Sequence, residues 1–273
     1  MTQSHSSSAT LVAPIEVSPA RRWTLKSVPA LRLFASILLI GLAWEALVVG
    51  FSIPSHYVPR LSHVLQAIIA TPDAYVAALV RTTAEAATGY VLGAVFGVGA
   101  GIAFSRLPVL RDVMFPMFVV SQTIPVIAFG ALIVLWFGNT LLAKAIIAFY
   151  VTFFPVTVNT LVGMRSVDPR QIALMRSFGA TQGQILRQLQ FPTALPQIFV
   201  ALRLGASLSL VGAIVGEWFG DTTGLGVLLL QAMFNENAAG LWAALLCCAL
   251  VGTAFYAVVA FAERKLVFWG AEQ

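Results

Sequence analysis

Residues 145–164, AIIAFYVTFFPVTVNTLVGM, contain no charged side chain in 20 consecutive positions. At about 1.5 Å per residue, a helix of that length covers about 30 Å, the thickness of the hydrocarbon core of a bilayer. The stretch does not alternate between apolar and polar positions, which excludes the strand of a membrane β-barrel. Working outward, five further apolar runs stand at Leu33–Phe51, Ala86–Phe104, Val113–Phe137, Ile198–Gly216 and Leu241–Ala262, the first interrupted by Glu45. Six transmembrane helices are therefore expected, in an all-α polytopic membrane bundle.

Composition agrees. Of the 273 residues, 59% are hydrophobic and 10% charged, whereas a soluble domain has about 25% charged and 45–50% apolar residues. With a mean hydropathy of +0.89, the apolar surface exceeds what one compact core can hide, so the lipid bilayer is its solvent. A net charge of +5 would by itself suggest anionic partners such as nucleic acid. The basic residues follow membrane orientation instead, and no nucleic-acid partner is expected.

With both termini inside, thirteen basic residues face the cytoplasm: Arg21, Arg22, Lys26, Arg32, Arg106, Arg111, Arg165, Arg170, Arg176, Arg187, Arg203, Arg264 and Lys265. Three, Arg60, Arg81 and Lys144, stand on the opposite side. The asymmetry gives cytoplasmic N and C termini, with external segments near 52–85, 138–144 and 217–240. Residues 1–30, rich in Ser, Thr, Ala and Pro at the start, form a disordered cytoplasmic tail without the pattern of a cleaved signal; the membrane domain occupies 31–273.

Reactive side chains are sparse. His5, His56 and His63 are too scattered for a metal site and have no nucleophile near them. Cys247 and Cys248 are adjacent within an apolar run, where they are expected as packed or lipid-facing residues. The six runs contain no Asp or His for an intramembrane protease, so no catalysis is expected. Pro125 and Pro155 mark kinks. Gly89, Gly93, Gly97 and Gly101 recur every fourth residue and form a groove for close helix packing. Glu45, beside Trp44, is expected near the outer interface, snorkelling or touching another subunit.

The 33 residues from Arg165 to Gln197 are far more than a helix connection needs, which is about 2–8. In DPRQIALMRSFGATQGQILRQLQFPTALP, Asp168 is placed to cap a helix with Pro169 at its first position, and Ile172, Met175 and Phe178 share one face. Gly179 stops it. A second short helix starts near Thr181, carries Ile185, Leu186 and Leu189 on one face, and is expected to end before Pro192. The product is a helix–Gly–helix hairpin against the cytoplasmic ends of the spans.

This loop, with Gly179 followed by Leu189 and Phe191-Pro192, resembles the EAA loop of the membrane subunits of bacterial ABC importers. The runs SQTIPVIAFGALIVLWFG, VTFFPVTVNTLVGMRSVDP and GEWFGDTTGLGVLLLQA are similar to the branch of type I importers serving nitrate, sulfonates, taurine and thiamine precursors. The family's acidic residue falls on Ala173, and its two alanines on Leu174 and Met175. Arg176, Ser177 and Gly179 match the branch. The resemblance implies a coupling role toward the ATPase for Ala173, Arg176, Ser177, Gly179, Ala180, Leu189 and Pro192. It also places the fifth span on the solute path, for which Asn159, Ser209, Gly212 and Glu217 are the candidates; Glu217 stands at the external gate.

The chain lacks a Gly-rich phosphate cradle ending in Gly-Lys-Ser/Thr, so ATP and Mg are expected on partner ATPase subunits and no cofactor in this chain. The resemblance adds a periplasmic or lipid-anchored solute-binding protein and a second permease copy, most simply as a homodimer, in the bacterial inner membrane. With no basic residue at mid-span, organic or neutral solutes such as pyrimidine precursors or riboflavin are favoured slightly over sulfonates and nitrate. The rival reading is a secondary transporter or channel driven by an ion gradient, which requires titratable groups deep in the bundle; Glu45 is the candidate for it.

Overall fold

A computed structural model describes residues 29–267 and Trp269. The expected tail, with His5, Arg21, Arg22 and Lys26, lies outside the described residues apart from its last two positions. The helices are α1 Pro29–Gly50, α2 Leu61–Ala70, α3 Pro72–Arg106, α4 Pro108–Ser121, α5 Val126–Phe137, α6 Leu141–Arg165, α7 Pro169–Ser177, α8 Gln182–Ile185, α9 Phe191–Glu217, α10 Leu225–Phe234 and α11 Ala238–Leu266. A single π-helical turn, Leu186–Gln190, joins α8 to α9. The chain divides into two units, residues 1–43 and 44–273. In the first, the described part of α1 exposes Ile37, Leu38, Leu39, Ile40 and Leu42.

In the second unit, α3, α6 and α9 form the centre. The buried face of α3 carries Gly89, Gly93, Gly97 and Gly101, and each abuts α6. A Cβ built on Gly93 would stand 2.7 Å from Thr152 Cβ, and one on Gly97 2.9 Å from Phe153 O. Helix α9 approaches α6 from another side in the same manner: a Cβ on Gly212 would meet Ala148 Cα at 2.7 Å, and one on Gly205 would meet Thr152 Cγ2 at 3.0 Å. Ala148 and Thr152 thus sit between two glycine-bearing faces. In lipid, where hydrophobic burial does not favour helix pairing, such backbone proximity supplies the dispersion contacts that hold helices together. The Thr152 hydroxyl donates to its own helix at Ala148 O, 2.8 Å, and lies 3.3 Å from Gly205 O.

The packing register fixes the direction of each helix. Gly89 meets Ala148 and Gly101 meets Thr160, so α3 and α6 run parallel. The intervening α4 and α5 must therefore return the chain from one end of the bundle to the other. They do so with a bend of 96° between them. The expected single kinked span is broken at Thr123–Pro125, because a proline disfavours the α conformation at the residue before it; Pro125 becomes the N-cap of α5.

Four segments are long and apolar enough to cross a bilayer, Pro72–Arg106, Leu141–Arg165, Gln182–Glu217 and Ala238–Leu266, and the bent pair makes five. The described apolar part of α1, Ala35–Gly50, is shorter than that length, so among the described residues up to five segments meet the length and apolarity of a crossing, and the first of the six expected spans is not confirmed by them. Large apolar side chains on the outer faces, among them Leu135, Phe96, Val113 and Phe261, are exposed, as lipid contact requires.

Glu45 is not a free interfacial charge. It accepts hydrogen bonds from the Ser62 amide at 3.3 Å and hydroxyl at 2.8 Å, serving the open N-terminus of α2. Beside it the Trp44 indole donates to Pro59 O at 3.0 Å and meets Trp242 edge-on. Cys247 is buried in a core cluster with Val64, Tyr75 and Leu210.

Candidate functional site

Two polar constructions stand at opposite ends of the α3–α6–α9 centre. At the end where α3 and α6 finish, the loop forms the expected hairpin. Asp168 accepts from the Arg170 amide at 2.8 Å as N-cap, with Pro169 at the first position of α7. The helix ends in a Schellman motif: the Gly179 amide donates to Arg176 O at 2.9 Å and the Ala180 amide to Met175 O at 3.0 Å, with Gly179 at φ +79°. That conformation suits glycine and strains other residues. Thr181 and Gln184 form a reciprocal capping box that opens α8. Ile185 is buried, and Arg106 at the end of α3 donates to Gln182 O at 3.2 Å, which ties the hairpin to the bundle.

Two features differ from expectation. Phe178, assigned to the packed face of α7, is 82% exposed and occupies the C-cap, beyond the last helical residue, and Leu174 is 58% exposed. The second helix also does not end before Pro192. The Phe191 amide reaches back to Leu186 O, and this wider π turn makes room for a proline that would break an α-helical ladder. The helix runs on from Gln182 to Glu217. Of the residues assigned to coupling, Ala173, Arg176, Ser177 and Gly179 are exposed and Ala180 half-buried. Leu189 and Pro192 line a cavity of about 840 Å³ with Ser166, Gln188, Thr193, Pro196, Gln197 and Trp269.

The other construction was not anticipated as a unit. Glu85, Lys144 and Glu217, from α3, α6 and α9, are all buried, and Asp221 lies almost fully covered beside them. Lys144 Nζ is 2.6 Å from Asp221 Oδ2 and also donates to Asn139 Oδ1. Arg81 Nε donates to Glu85 Oε1 at 2.7 Å, and its Nη2 lies 3.8 Å from Asp221 Oδ2. Burial raises the Asp221 carboxyl, but the Lys144 ammonium, the Thr222 amide and the Arg81 guanidinium together hold it below the usual carboxylate range.

Glu217 grips the segment that follows it. One oxygen accepts from the Thr82 hydroxyl, the other from the Gly226 amide at 2.6 Å. Thr82 in turn accepts from the Leu225 amide at 2.9 Å. The loop 218–224 is thereby pinned over the ends of α3 and α9. Of the acidic and basic residues here, Arg81, Glu85 and Lys144 fall at or just outside the edges of apolar runs, so a search for charges inside those runs passes over them.

The four residues expected on a solute path do not share one surface. Asn159 donates to Pro155 O at 2.8 Å and accepts from Gln197 of α9 at 2.9 Å. Ser209 is buried and donates to Ala206 O at 2.9 Å. Gly212 lies against the Ala148 backbone, and Glu217 is in the cluster just described. Among the described residues no group of His, Cys, Asp and Glu is placed to hold a metal ion.

A family model described as the binding-protein-dependent transport system inner membrane component matches residues 89–268. Over 252 residues the chain is 31% identical to the formylaminopyrimidine transport permease protein ThiX of Halalkalibacterium halodurans, covering 91% of this chain and 99% of that one. It is 28% identical to the taurine transport system permease protein TauC of Escherichia coli, over 92% of this chain and 94% of the relative. The riboflavin transport system permease protein RibX of Chloroflexus aurantiacus is 37% identical over 59% of this chain and 60% of its own.

Proposed function

Since the chain belongs to the family of binding-protein-dependent transport system inner membrane components, we propose that it forms the passage of an ATP-driven importer, moving a small solute inward by alternating access. Two partner ATPases supply the energy and bind ATP and Mg; an external solute-binding protein delivers cargo; a second copy of this chain completes the gate. The observation that carries this reading is the hairpin, an internally capped structure tied to α3 through Arg106 that presents Leu174 and Phe178 outward. A mere connection has no need of two exposed apolar side chains on a doubly capped turn. Such a surface suits a partner's groove, and the coupling residues Ala173, Arg176, Ser177, Gly179 and Ala180 all belong to it.

In this reading the hairpin end is cytoplasmic, the Glu217 end is external, and the membrane is the bacterial inner membrane. Asn159 with Gln197 remains on the path. Ser209 and Gly212 serve helix packing, and Glu217 holds the external loop. The cargo is a small organic solute, the class named for the relatives that transport formylaminopyrimidine, riboflavin and taurine.

Gly179→Leu tests the coupling surface. A Cβ there meets nothing within 4 Å, so the substitution acts through backbone conformation alone, at a cost of about 1–2 kcal/mol. The variant is expected to insert and to bind its partner ATPase, while solute uptake falls and ATP hydrolysis continues. Uptake at the normal rate in membrane vesicles overturns the assignment.

A further inference from the structure

The corner that joins α1 to α2 holds a cavity that the transport reading does not use. Its volume is about 420 Å³, and it is lined by the apolar Val48 and Ile53 and by the polar Ser52, Ser55, Arg60 and His63. Local backbone geometry builds it. Helix α1 ends in a Schellman motif, in which the Ser52 amide donates to Val49 O at 3.2 Å and the Ile53 amide to Val48 O at 3.1 Å. Ser52 takes the left-handed position of that motif, φ +49°, where glycine is the unstrained choice. A serine there costs strain and supplies a hydroxyl to the cavity. On the other side of the corner, the Trp44 indole holds Pro59 O at 3.0 Å, which fixes Arg60 as the N-cap residue of α2 with His63 one turn further on.

The polar lining is rich in donors that nothing in the chain answers. Glu45 is the only acidic residue between Pro29 and Ala70, and its carboxylate is engaged by the Ser62 amide and hydroxyl. Among the described residues, the Arg60 and His63 side chains make no ion pair and no hydrogen bond. The guanidinium presents its N–H donors in a planar fork that matches two oxygens of a phosphate. Each serine hydroxyl adds a donor, and the imidazole adds one in either protonation state. No carboxylate stands among the described lining residues to repel an anion. Such a set recognises a phosphate group.

The surroundings decide where that phosphate comes from. Phe51, Tyr57, Leu65 and Ile69, on the elements that form the corner, are exposed, an apolar and aromatic rim of the kind found where a protein passes from hydrocarbon to headgroups. Val48 and Ile53 give the cavity itself an apolar wall. A free phosphate ion gains nothing from these surfaces, whereas a phospholipid carries phosphate and acyl esters on one molecule. We propose that the corner binds an anionic phospholipid, with Arg60, Ser52, Ser55 and His63 donating to its phosphate and headgroup and Val48 and Ile53 against the start of its acyl chains. An anionic headgroup is preferred to phosphatidylcholine because it brings no cation to compete with Arg60. The site serves the leaflet at the Glu217 end, since Val64 of α2 packs with Tyr75 of α3 and Leu225 of α10.

The test uses the purified full chain in lipid nanodiscs, without ATPase or solute, so its result does not depend on the transport reading. In a background with Cys247 and Cys248 replaced by Ala, Ser55→Cys places a thiol in the cavity, and Asn235→Cys, exposed outside it, reports general effects of the lipid surface. Alkylation by N-ethylmaleimide is timed in phosphatidylcholine, in phosphatidylcholine mixed with phosphatidylglycerol, and in phosphatidylcholine with inorganic phosphate in the buffer. Phosphatidylglycerol is expected to slow Ser55→Cys by about fivefold relative to Asn235→Cys, the factor that one basic side chain contributes to contact with anionic lipid. Inorganic phosphate is expected to change neither rate. Adding Arg60→Gln is expected to return Ser55→Cys to its rate in phosphatidylcholine alone. Equal slowing of both cysteine variants, no slowing, slowing that survives Arg60→Gln, or equal protection by inorganic phosphate overturns the proposal. The comparison between lipids leaves Arg60 in place, so it stands even where the Arg60→Gln variant fails to fold.

Discussion

Gly224 shows how much one residue can be required to do. Its φ is +155°, and a Cβ built there would run into the Glu217 carboxyl. Two separate demands, an unusual backbone conformation and contact with a buried carboxyl group, exclude any other residue. Gly224→Ala is expected to destabilise the fold by about 1–3 kcal/mol, seen as a lower midpoint in thermal unfolding in detergent, together with faster proteolysis of the 218–226 loop. This site was only partly legible in the sequence. Glu217 stands out at the edge of its apolar run, but its partner Thr82 is 135 positions away and has no signature of its own. Glu85 and Lys144 escaped because hydropathy assigns charged residues beside an apolar run to loops, whereas α3 begins at Pro72 and keeps Glu85 inside the helix. Which distant charge answers which is a property of tertiary packing alone.

At the scale of elements, the hairpin was the most legible part. Capping and left-handed turns depend on residues three or four positions apart, so Asp168, Pro169, Gly179 and Thr181 announce themselves locally. The π turn did not, since a proline normally ends a helix and only the register of the surrounding packing decides that this one is accommodated. The four-residue glycine spacing in α3 was equally plain, and its partner helix was not. The two faces of α3 offer a direct comparison. A Cβ on Gly93 collides with Thr152, while one on Gly99 meets nothing within 4 Å. Gly93→Leu is expected to cost at least the 1–3 kcal/mol typical of an overpacked core, roughly, and to reduce the yield of monodisperse protein on size exclusion. Gly99→Leu, on an exposed face, is expected to behave as the unsubstituted protein does.

For the whole molecule, the excess of Lys and Arg at one end supports the proposed orientation, and the parallel run of α3 and α6 requires the bent α4–α5 pair to count as one crossing. Hydropathy could find that segment but could not foresee its right-angle break. In a background with Cys247 and Cys248 replaced by Ala, Arg170→Cys is expected to react with an impermeant maleimide only from the cytoplasmic face of sealed vesicles, and Asn235→Cys only from the other; both residues are exposed. Labelling of the two from the same side overturns the arrangement. One further consequence follows from the uninterrupted helix Gln182–Glu217. Its 36 residues make a rod about 54 Å long at helical rise. The capping box sits at its foot and the anchor carboxylate at its head. In the proposed coupling, a push delivered at Thr181 travels to Glu217 as in a pushrod, and the π turn and Pro196, both near the foot, are the compliant joints along the shaft.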